Sequence, residues 1–237
     1  MEIKRFGEVE STNDLLKQQG ENLPEGTVFV AESQTAGRGR KARKFYSPKG
    51  LGLYFSILVK PEIVGEEALL LTPMAAVAVA ESIESIYGAD ARIKWVNDVF
   101  VNGKKVAGIL TETVTKGNKQ IFSVIGIGIN IQNPTKYTPP YLKEIAGGIA
   151  ESCDKKEDLL RKVLERFFYY YENLAKKEFL EYYREKSFII GREIFIPDRE
   201  EEIFKAVGID DNFGLIIEKE TGEKETLFCG EVSIKFS

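Results

Sequence analysis

Residues 27–47 read T-V-F-V-A-E-S-Q-T-A-G-R-G-R-K-A-R-K-F-Y-S, and this stretch joins a predicted strand to a strongly basic loop. The alternation over 27–33 predicts the strand. Five of the seven residues at 38–44 are basic, although the chain has a formal net charge of -4. Gly37 and Gly39 let the loop backbone approach a ligand closely. Such a loop favours a small anion such as phosphate, although a solvated basic loop or a nucleic-acid patch has the same composition.

The composition predicts a globular chain with one sizeable domain and a small one. It has 237 residues, 43% of them hydrophobic, which is ordinary for a protein with a core. The sequence contains neither an apolar run of membrane-spanning length nor an N-terminal signal core, so we expect no membrane association. Cys153 and Cys229 are far apart, which favours a reduced, cytoplasmic location. The acidic balance argues against a general nucleic-acid binder.

The chain contains no histidine. This excludes Ser-His nucleophiles, His-ligated zinc and imidazole acid–base chemistry. An enzyme built this way depends on electrostatics and positioning, as phosphoryl or nucleotidyl transfer does. A binding protein needs no histidine either, so both alternatives stay open at this point.

Two further stretches carry polar groups on predicted strands. Over 92–112, a strand containing Lys94 ends at Asn97 and Asp98, and a second one turns at Asn102-Gly103, a strong hairpin signal. The return strand begins with Lys105 and contains Gly108. Over 121–131, a buried strand carries Gly126 and Gly128 and ends near Asn130. Glycines inside a strand indicate that another group approaches the backbone closely.

The remaining pattern predicts helices and a change of character near the C-terminus. Ser11 with Asp14 forms a helix-capping pattern. Periodic apolar residues predict long helices at 66–87 and 154–175, followed by a charged helix near 176–186. Short strands separated by turn residues follow, as in a small β-barrel or meander. We therefore place a domain boundary between 1–187 and 188–237.

Taken together, these motifs resemble those of biotin protein ligases, the enzymes that attach biotin to carboxylase subunits. Seven motifs occur in the family's order and span nearly the whole chain: S-T-N at 11–13, E-S-Q-T-A-G-R-G-R at 32–40, K-W-V-N-D-V at 94–99, K-V-A-G-I-L at 105–110, G-I-G-I-N at 126–130, G-I-D-D-N-F-G at 208–214 and G-E-V-S-I at 230–234. The resemblance implies an α+β fold. Its mixed central sheet is flanked by helices, as in class II aminoacyl-tRNA synthetases and the biotin–lipoate ligase core, and a small C-terminal SH3-like β-barrel follows.

The resemblance also implies a reaction in two steps and a set of partners. Biotin's carboxylate attacks the α-phosphate of ATP with Mg²⁺ present, and a lysine of a biotin carboxyl carrier protein, such as that of acetyl-CoA carboxylase, then takes the biotinyl group. Because a carboxylate is ionised at pH 7, the first step needs no general base, but it needs cations to offset the repulsion between two anions. This is the activity of biotin–[acetyl-CoA-carboxylase] ligase.

Motif positions imply roles for individual residues. Those implied for chemistry are Lys105, Arg38 and Arg40. Those implied for biotin are Ser11, Thr12, Asn13, Gln34, Gly37, Arg38, Gly39, Arg40, Lys105, Gly108, Gly126 and Gly128. Those implied for the nucleotide are Arg40, Arg43, Phe45, Lys94, Asn97 and Asn130, with Asp98 near Mg²⁺.

Several departures and alternatives accompany the resemblance. Phe45 stands where the family often has tryptophan, Val96 replaces the usual proline, and Lys235 stands where many members carry arginine. The chain begins at the catalytic strand, so we expect the ligase-only form with no DNA partner, and a homodimer is plausible from the family. The competing functions are lipoate attachment on the same core fold and non-enzymatic RNA binding through the basic loop.

Overall fold

A seven-stranded mixed sheet forms the body of the protein, which is described by a computed structural model covering residues 1–61, 65–117, 119–134, 144–197, 199 and 202–234. The strand order across the sheet is β1-β2-β3-β7-β6-β5-β4. The strands are β1 Glu2–Val9, β2 Thr27–Gln34, β3 Gly52–Val59, β4 Ala91–Lys94, β5 Asp98–Val101, β6 Lys104–Lys116 and β7 Lys119–Asn130. The mixed sheet expected from the sequence is confirmed.

The parallel pair β1 and β2 makes the sheet mixed, since the other neighbours are antiparallel. A parallel pair needs a crossover connection, and helix α1, Thr12–Gln19, supplies it. Ser11 caps this helix as predicted, because its side chain accepts a hydrogen bond from the Asp14 backbone N–H at 3.3 Å. The helix start thereby faces the same side of the sheet as the basic loop.

Helix α2, Leu71–Tyr87, is the core helix of the protein. Its small apolar residues are fully buried against the sheet and against helix α3, Lys156–Glu172. Pro73 lies in the first turn, where a missing N–H costs little, so the helix begins late and is not broken. Among the described residues, one helical segment, Ala68–Tyr87, is long and apolar enough to cross a membrane, but 67% of its most apolar 18-residue window is buried inside the protein, as in a core helix.

The second sheet lies at the C-terminus and has five antiparallel strands in the order β11-β10-β9-β8-β12. Its strands are β8 Glu193–Phe195, β9 Ile203–Ile209, β10 Leu215–Lys219, β11 Lys224–Leu227 and β12 Ser233–Ile234. The predicted run of short strands is therefore confirmed, except at 235–237, which lie outside the described residues. The fold seen here is thus a mixed sheet with helices and a second antiparallel sheet.

One continuous hydrophobic core joins the two sheets. Phe213 of the second sheet stacks on Phe179 with ring centroids 5.0 Å apart and meets the edge of Tyr183, which belongs to helix α4, Leu180–Lys186. Trp95, directly after β4, donates its indole N–H to the Phe213 carbonyl at 2.9 Å. The peptide bond from Trp95 to Val96 is cis. The β4–β5 turn is thus held from behind by the C-terminal sheet.

Replacing Trp95 with phenylalanine tests this connection. The variant leaves the buried Phe213 carbonyl without its donor, so we expect a loss of about 1–3 kcal/mol in the free energy of unfolding. Circular dichroism in a urea titration measures it, since Trp95 is the chain's single tryptophan and fluorescence is lost with it. Tyr169→Phe, at an exposed site, is the control. Equal stability of Trp95→Phe and the parent protein would refute the proposed role of this bond.

Candidate functional site

A cavity of about 1350 Å³ opens between the basic loop and the sheet. Its floor is formed by β6 and β7, its walls by the start of α1, the β4–β5 hairpin and the loop, and one side by residues 231–234 of the second sheet. The predicted residues that line it are Ser11, Thr12, Asn13, Gln34, Arg38, Gly39, Arg40, Arg43, Phe45, Lys94, Asn97, Asp98, Lys105, Gly108, Gly126, Gly128 and Asn130. Motifs far apart in the chain therefore meet in one space.

Gly37, the remaining residue of the predicted set, is not among the residues that line this cavity. It is buried inside the basic loop, where the Phe45 N–H donates to the Gly37 carbonyl at 2.8 Å. A Cβ on Gly37 would lie 2.5 Å from the Phe45 carbonyl oxygen and 2.7 Å from the Ser47 hydroxyl. The missing side chain thus lets the loop fold back on itself as a narrow hairpin.

One end of the cavity is a closely bonded polar pocket. Gln34 accepts hydrogen bonds from the backbone N–H of Thr12 at 2.9 Å and from its hydroxyl at 3.1 Å, and donates to Ser47 at 2.9 Å. The fully buried Ser56 hydroxyl lies 2.7 Å from Thr12 Oγ1 and 2.5 Å from Asn13 Oδ1. Each buried polar atom is thereby held in one orientation, as recognition of a small ring with its own donors and acceptors requires.

Asn13 and Phe45 explain the glycines of the cavity floor. Gly126 and Gly128 project to the same face of β7, and Gly108 of β6 is the register partner of Gly128. A Cβ on Gly126 would overlap the Asn13 amide, and one on Gly128 would overlap the Phe45 ring. The close approach predicted from these glycines is therefore made by two cavity-lining side chains of the protein itself.

The arginines of the basic loop are held by groups from four different parts of the fold. Arg38 pairs with Asp14 of α1 at 2.5 Å and with Glu112 of β6 at 2.8 Å. Arg40 donates to Asn97 Oδ1 at 3.2 Å, and Asn97 in turn donates to the Ile109 carbonyl at 3.0 Å. Arg43 forms an ion pair with Glu231, which follows β11 in the second sheet. These contacts fold the loop over the cavity.

Two lysines provide positive charge deeper in the site. Lys105 Nζ lies 2.6 Å from Asp98 Oδ1 across the β5–β6 hairpin. Burial lowers the pKa of the Lys94 ammonium below its usual value, against the carboxylates of Asp98 and Glu231, which raise it. A bound anion would therefore gain two cations that water screens only weakly.

Five residues of this arrangement are absent from the set chosen by sequence: Ser47, Ser56, Glu112, Glu231 and Asp14. Ser56 had a signal, since it is the single serine of the apolar stretch L-G-L-Y-F-S-I-L-V at 51–59. Glu231 lies within the G-E-V-S-I motif, but nothing local in the sequence indicates that it pairs with Arg43, which is 188 residues away. The acidic partners of a basic loop are identified only by the fold.

The site offers little for a resident metal ion. Among the described residues, no group of three or more His, Cys, Asp or Glu side chains could hold one. Asp98 is a single carboxylate already paired with Lys105. Mg²⁺ commonly binds through one or two carboxylates together with substrate phosphates, so these residues fit a Mg²⁺ that arrives with a nucleotide better than a dedicated site.

Comparisons with known proteins agree with this geometry. The profile of the Biotin/lipoate A/B protein ligase family matches residues 6–130. The bifunctional ligase/repressor BirA of Bacillus subtilis is 35% identical over 211 residues, which cover 86% of this chain and 65% of that protein. The biotin–[acetyl-CoA-carboxylase] ligase of Mycobacterium tuberculosis is 31% identical, with 88% and 80% covered. The chain thus spans just under two thirds of the length of the Bacillus relatives it matches.

A solved structure is similar over its whole length. It is the biotin protein ligase from Aquifex aeolicus in complex with biotin and ATP, which has 32% sequence identity and a TM-score of 0.81, with 100% of this chain and 99% of that chain covered.

Replacing Gly128 with alanine tests the contact between the floor and the loop. The new methyl group displaces the Phe45 ring, and overpacking of this kind costs about 1–3 kcal/mol. Trypsin cleavage within the arginine-rich loop should then become about tenfold faster, because cleavage follows the population of the open loop. Gly208→Ala is the matched control, since its new Cβ would have its nearest neighbour 3.8 Å away. Equal cleavage rates in both variants would show that Phe45 does not hold the loop down.

Proposed function

The chain belongs to the Biotin/lipoate A/B protein ligase family, and on that premise we propose that it is a biotin protein ligase. In this proposal it forms biotinyl-5′-AMP from biotin and ATP and transfers the biotinyl group to a lysine of a biotin carboxyl carrier protein. One observation supports this most directly: a single cavity joins a polar ring pocket at Thr12 and Gln34 to the cations Arg38, Lys94 and Lys105.

The first step joins two anions. A biotin carboxylate oxygen forms a bond to the α-phosphorus of ATP, and the bond to the bridging oxygen of pyrophosphate breaks. No proton is transferred, since the carboxylate is ionised at pH 7. Lys105 and Arg38 lie where they can offset the repulsion between carboxylate and phosphate, and this preorganised charge is the main contribution expected from the protein.

The second step consumes the mixed anhydride. The carrier lysine's amine attacks the biotinyl carbonyl carbon, AMP leaves, and the amine releases a proton as the amide forms. Arg40 and its hydrogen bond to Asn97 hold the loop over the cavity, which keeps water from the anhydride until the carrier arrives.

The nucleotide is assigned to the second half of the cavity. We place adenine near Asn130 and under Phe45, whose ring can cover it in place of the family's usual tryptophan, and the phosphates near Arg43, Lys94 and Asn97. Asp98 is the carboxylate that would hold a Mg²⁺ ion bound with ATP, and that ion would offset phosphate charge. We assign Ser11, Asn13 and the glycines of the cavity floor to the half of the cavity that binds biotin.

The finer assignments of architecture and context are also proposals. We propose that residues 1–187 form the catalytic domain and that 188–237 form an SH3-like domain, supported by the antiparallel five-stranded sheet. A cytoplasmic location is supported by the cysteine content, and the homodimer stays a prediction.

The deciding experiment incubates the protein with biotin, ATP, Mg²⁺ and a biotin carboxyl carrier domain. We expect a carrier mass increase of one biotinyl group and release of pyrophosphate. Lipoate competes in the same assay, because lipoate attachment is the alternative within this family, and preferential transfer of lipoate would replace the proposal. If the carrier receives neither a biotinyl nor a lipoyl group, both ligase functions are refuted. Salt-dependent RNA binding in place of transfer would favour the RNA-binding alternative.

Lys105→Ala should slow formation of biotinyl-AMP by about a hundredfold or more, as removal of one preorganised charged donor commonly does. Single-turnover pyrophosphate release measures the rate. Lys116→Ala, an exposed lysine at the far end of the same strand, is the control. Full activity of Lys105→Ala in a folded protein would remove Lys105 from the chemical step.

Arg40→Gly should leave adenylate formation largely intact but release the intermediate, since the loop loses its bond to Asn97. Biotinylation of lysines on an unrelated protein should rise, as measured by mass spectrometry, while Arg40→Lys, which keeps the charge, stays closer to the parent. Unchanged selectivity in Arg40→Gly would contradict the retention role.

A further inference from the structure

Four charged side chains form a closed network at the biotin end of the cavity; we call them the rim cluster. They are Asp14 and Lys17 of α1, Arg38 of the basic loop and Glu112 of β6. Arg38 contacts both carboxylates, and Lys17 does the same, at 3.1 Å from Asp14 and 2.7 Å from Glu112. Two cations are therefore shared by two carboxylates. If one of the cations moves away, each carboxylate stays paired with the remaining one.

Glu112 connects the two halves of the proposed biotin site without lining the cavity. One carboxylate oxygen accepts a hydrogen bond from Asn13 Nδ2 at 2.9 Å, and the carboxylate contacts Arg38 at 2.8 and 2.9 Å. Asn13 lies in the ring pocket over Gly126, whereas Arg38 is assigned to the biotin carboxylate. The Glu112 side chain is 23% exposed, so its ion pair with Arg38 is screened less than one at a free surface.

We propose that Glu112 is a positioning residue that occupies Arg38 in the empty protein and competes with the biotin carboxylate for it. This inference rests on the proposed function. On binding, Arg38 transfers from the rim cluster to the ligand, which then holds this part of the loop over the cavity in place of the rim cluster. Asp14 also competes with the biotin carboxylate, because it is the second carboxylate with which Arg38 is paired in the empty protein.

Lys17 lowers the free-energy cost of moving Arg38 from the rim cluster to the ligand. An unpaired, partly buried carboxylate would be costly, but Lys17 stays in contact with both acidic groups after Arg38 departs. Asn13 also stays bonded to Glu112, so the ring pocket keeps its geometry during the exchange. Burial raises the pKa of Glu112, but hydrogen bonds from Lys17 and Asn13 and the charge of Arg38 outweigh it and hold the pKa below its usual value. Glu112 is therefore ionised at neutral pH.

The test compares biotin with biotin carboxamide, a neutral analogue that keeps the ring system. Calorimetry gives the dissociation constant of each ligand, and the readout is the ratio of the biotin value to the carboxamide value. Glu112→Gln removes the negative charge but keeps an acceptor for Asn13. We expect the ratio to fall about threefold to fivefold at low salt, the size of one partly exposed ion pair, and the change to shrink in 1 M NaCl.

A structural role predicts a different result, because a disturbed Asn13 weakens both ligands alike and leaves the ratio unchanged. A ratio that is unchanged or higher in folded Glu112→Gln therefore overturns the proposal. If Glu112→Gln fails to fold, Asp14→Asn tests the competition with the same ratio of dissociation constants, because it leaves the hydrogen bond between Asn13 and Glu112 intact. As a control, Glu112→Gln in an Arg38→Ala background should leave the ratio as in Arg38→Ala alone. Failure of the parent protein to bind biotin would refute the proposed function and the competition with it, whereas an unchanged ratio in a protein that binds biotin refutes the competition alone.

Discussion

Mutual repulsion among positive charges is the constraint on which the site depends. Arg38, Arg40, Arg43, Lys94 and Lys105 all line one cavity, and such a concentration of like charge opposes folding unless it is offset. The protein offsets it with internal carboxylates on three separate elements: Asp14 on α1, Glu112 and Asp98 on the sheet, and Glu231 in the second sheet. The same ion pairs hold the basic loop over the cavity. Anionic substrates can then replace internal anions instead of entering a site of unbalanced charge.

The backbone of the sheet limits how the loop can lie. Antiparallel pairing of β6 with β7 brings Gly108 beside Gly128, and the lack of side chains there leaves a shallow depression in the floor. Phe45 fills part of it and meets the edge of Tyr54, with ring centroids 6.5 Å apart. The Phe45 ring lies against this glycine backbone and is held there by packing. Ionic contacts thus hold the loop at its arginines, and packing holds it at Phe45.

The second sheet contributes to the site as well as to the core. Phe213 binds the back of the β4–β5 turn through Trp95, while Glu231 reaches the front of the cavity and pairs with Arg43. The turn that carries Asn97 and the loop that carries Arg43 are therefore both fixed to the same C-terminal element. Its 44 described residues between 188 and 234 are too few to form an independent core easily, and one hydrophobic core continues through both sheets.

The sequence alone determined the elements and most of the site. Hydrophobic periodicity predicted the strands and helices, Asn102-Gly103 predicted the hairpin, and the order of motifs identified the residues that the fold brings together. These signals are local, because helix caps, turns and alternation depend on neighbours in the chain.

The tertiary structure alone decided which group meets which. Arg43 pairs with a residue 188 positions away and Arg38 with one 74 positions away. The positions of Gly37 inside the loop, and of Asn13 and Phe45 on the glycines, were decided in the same way. Such contacts depend on the packing of whole elements. The local sequence around a carboxylate does not indicate which cation it will contact.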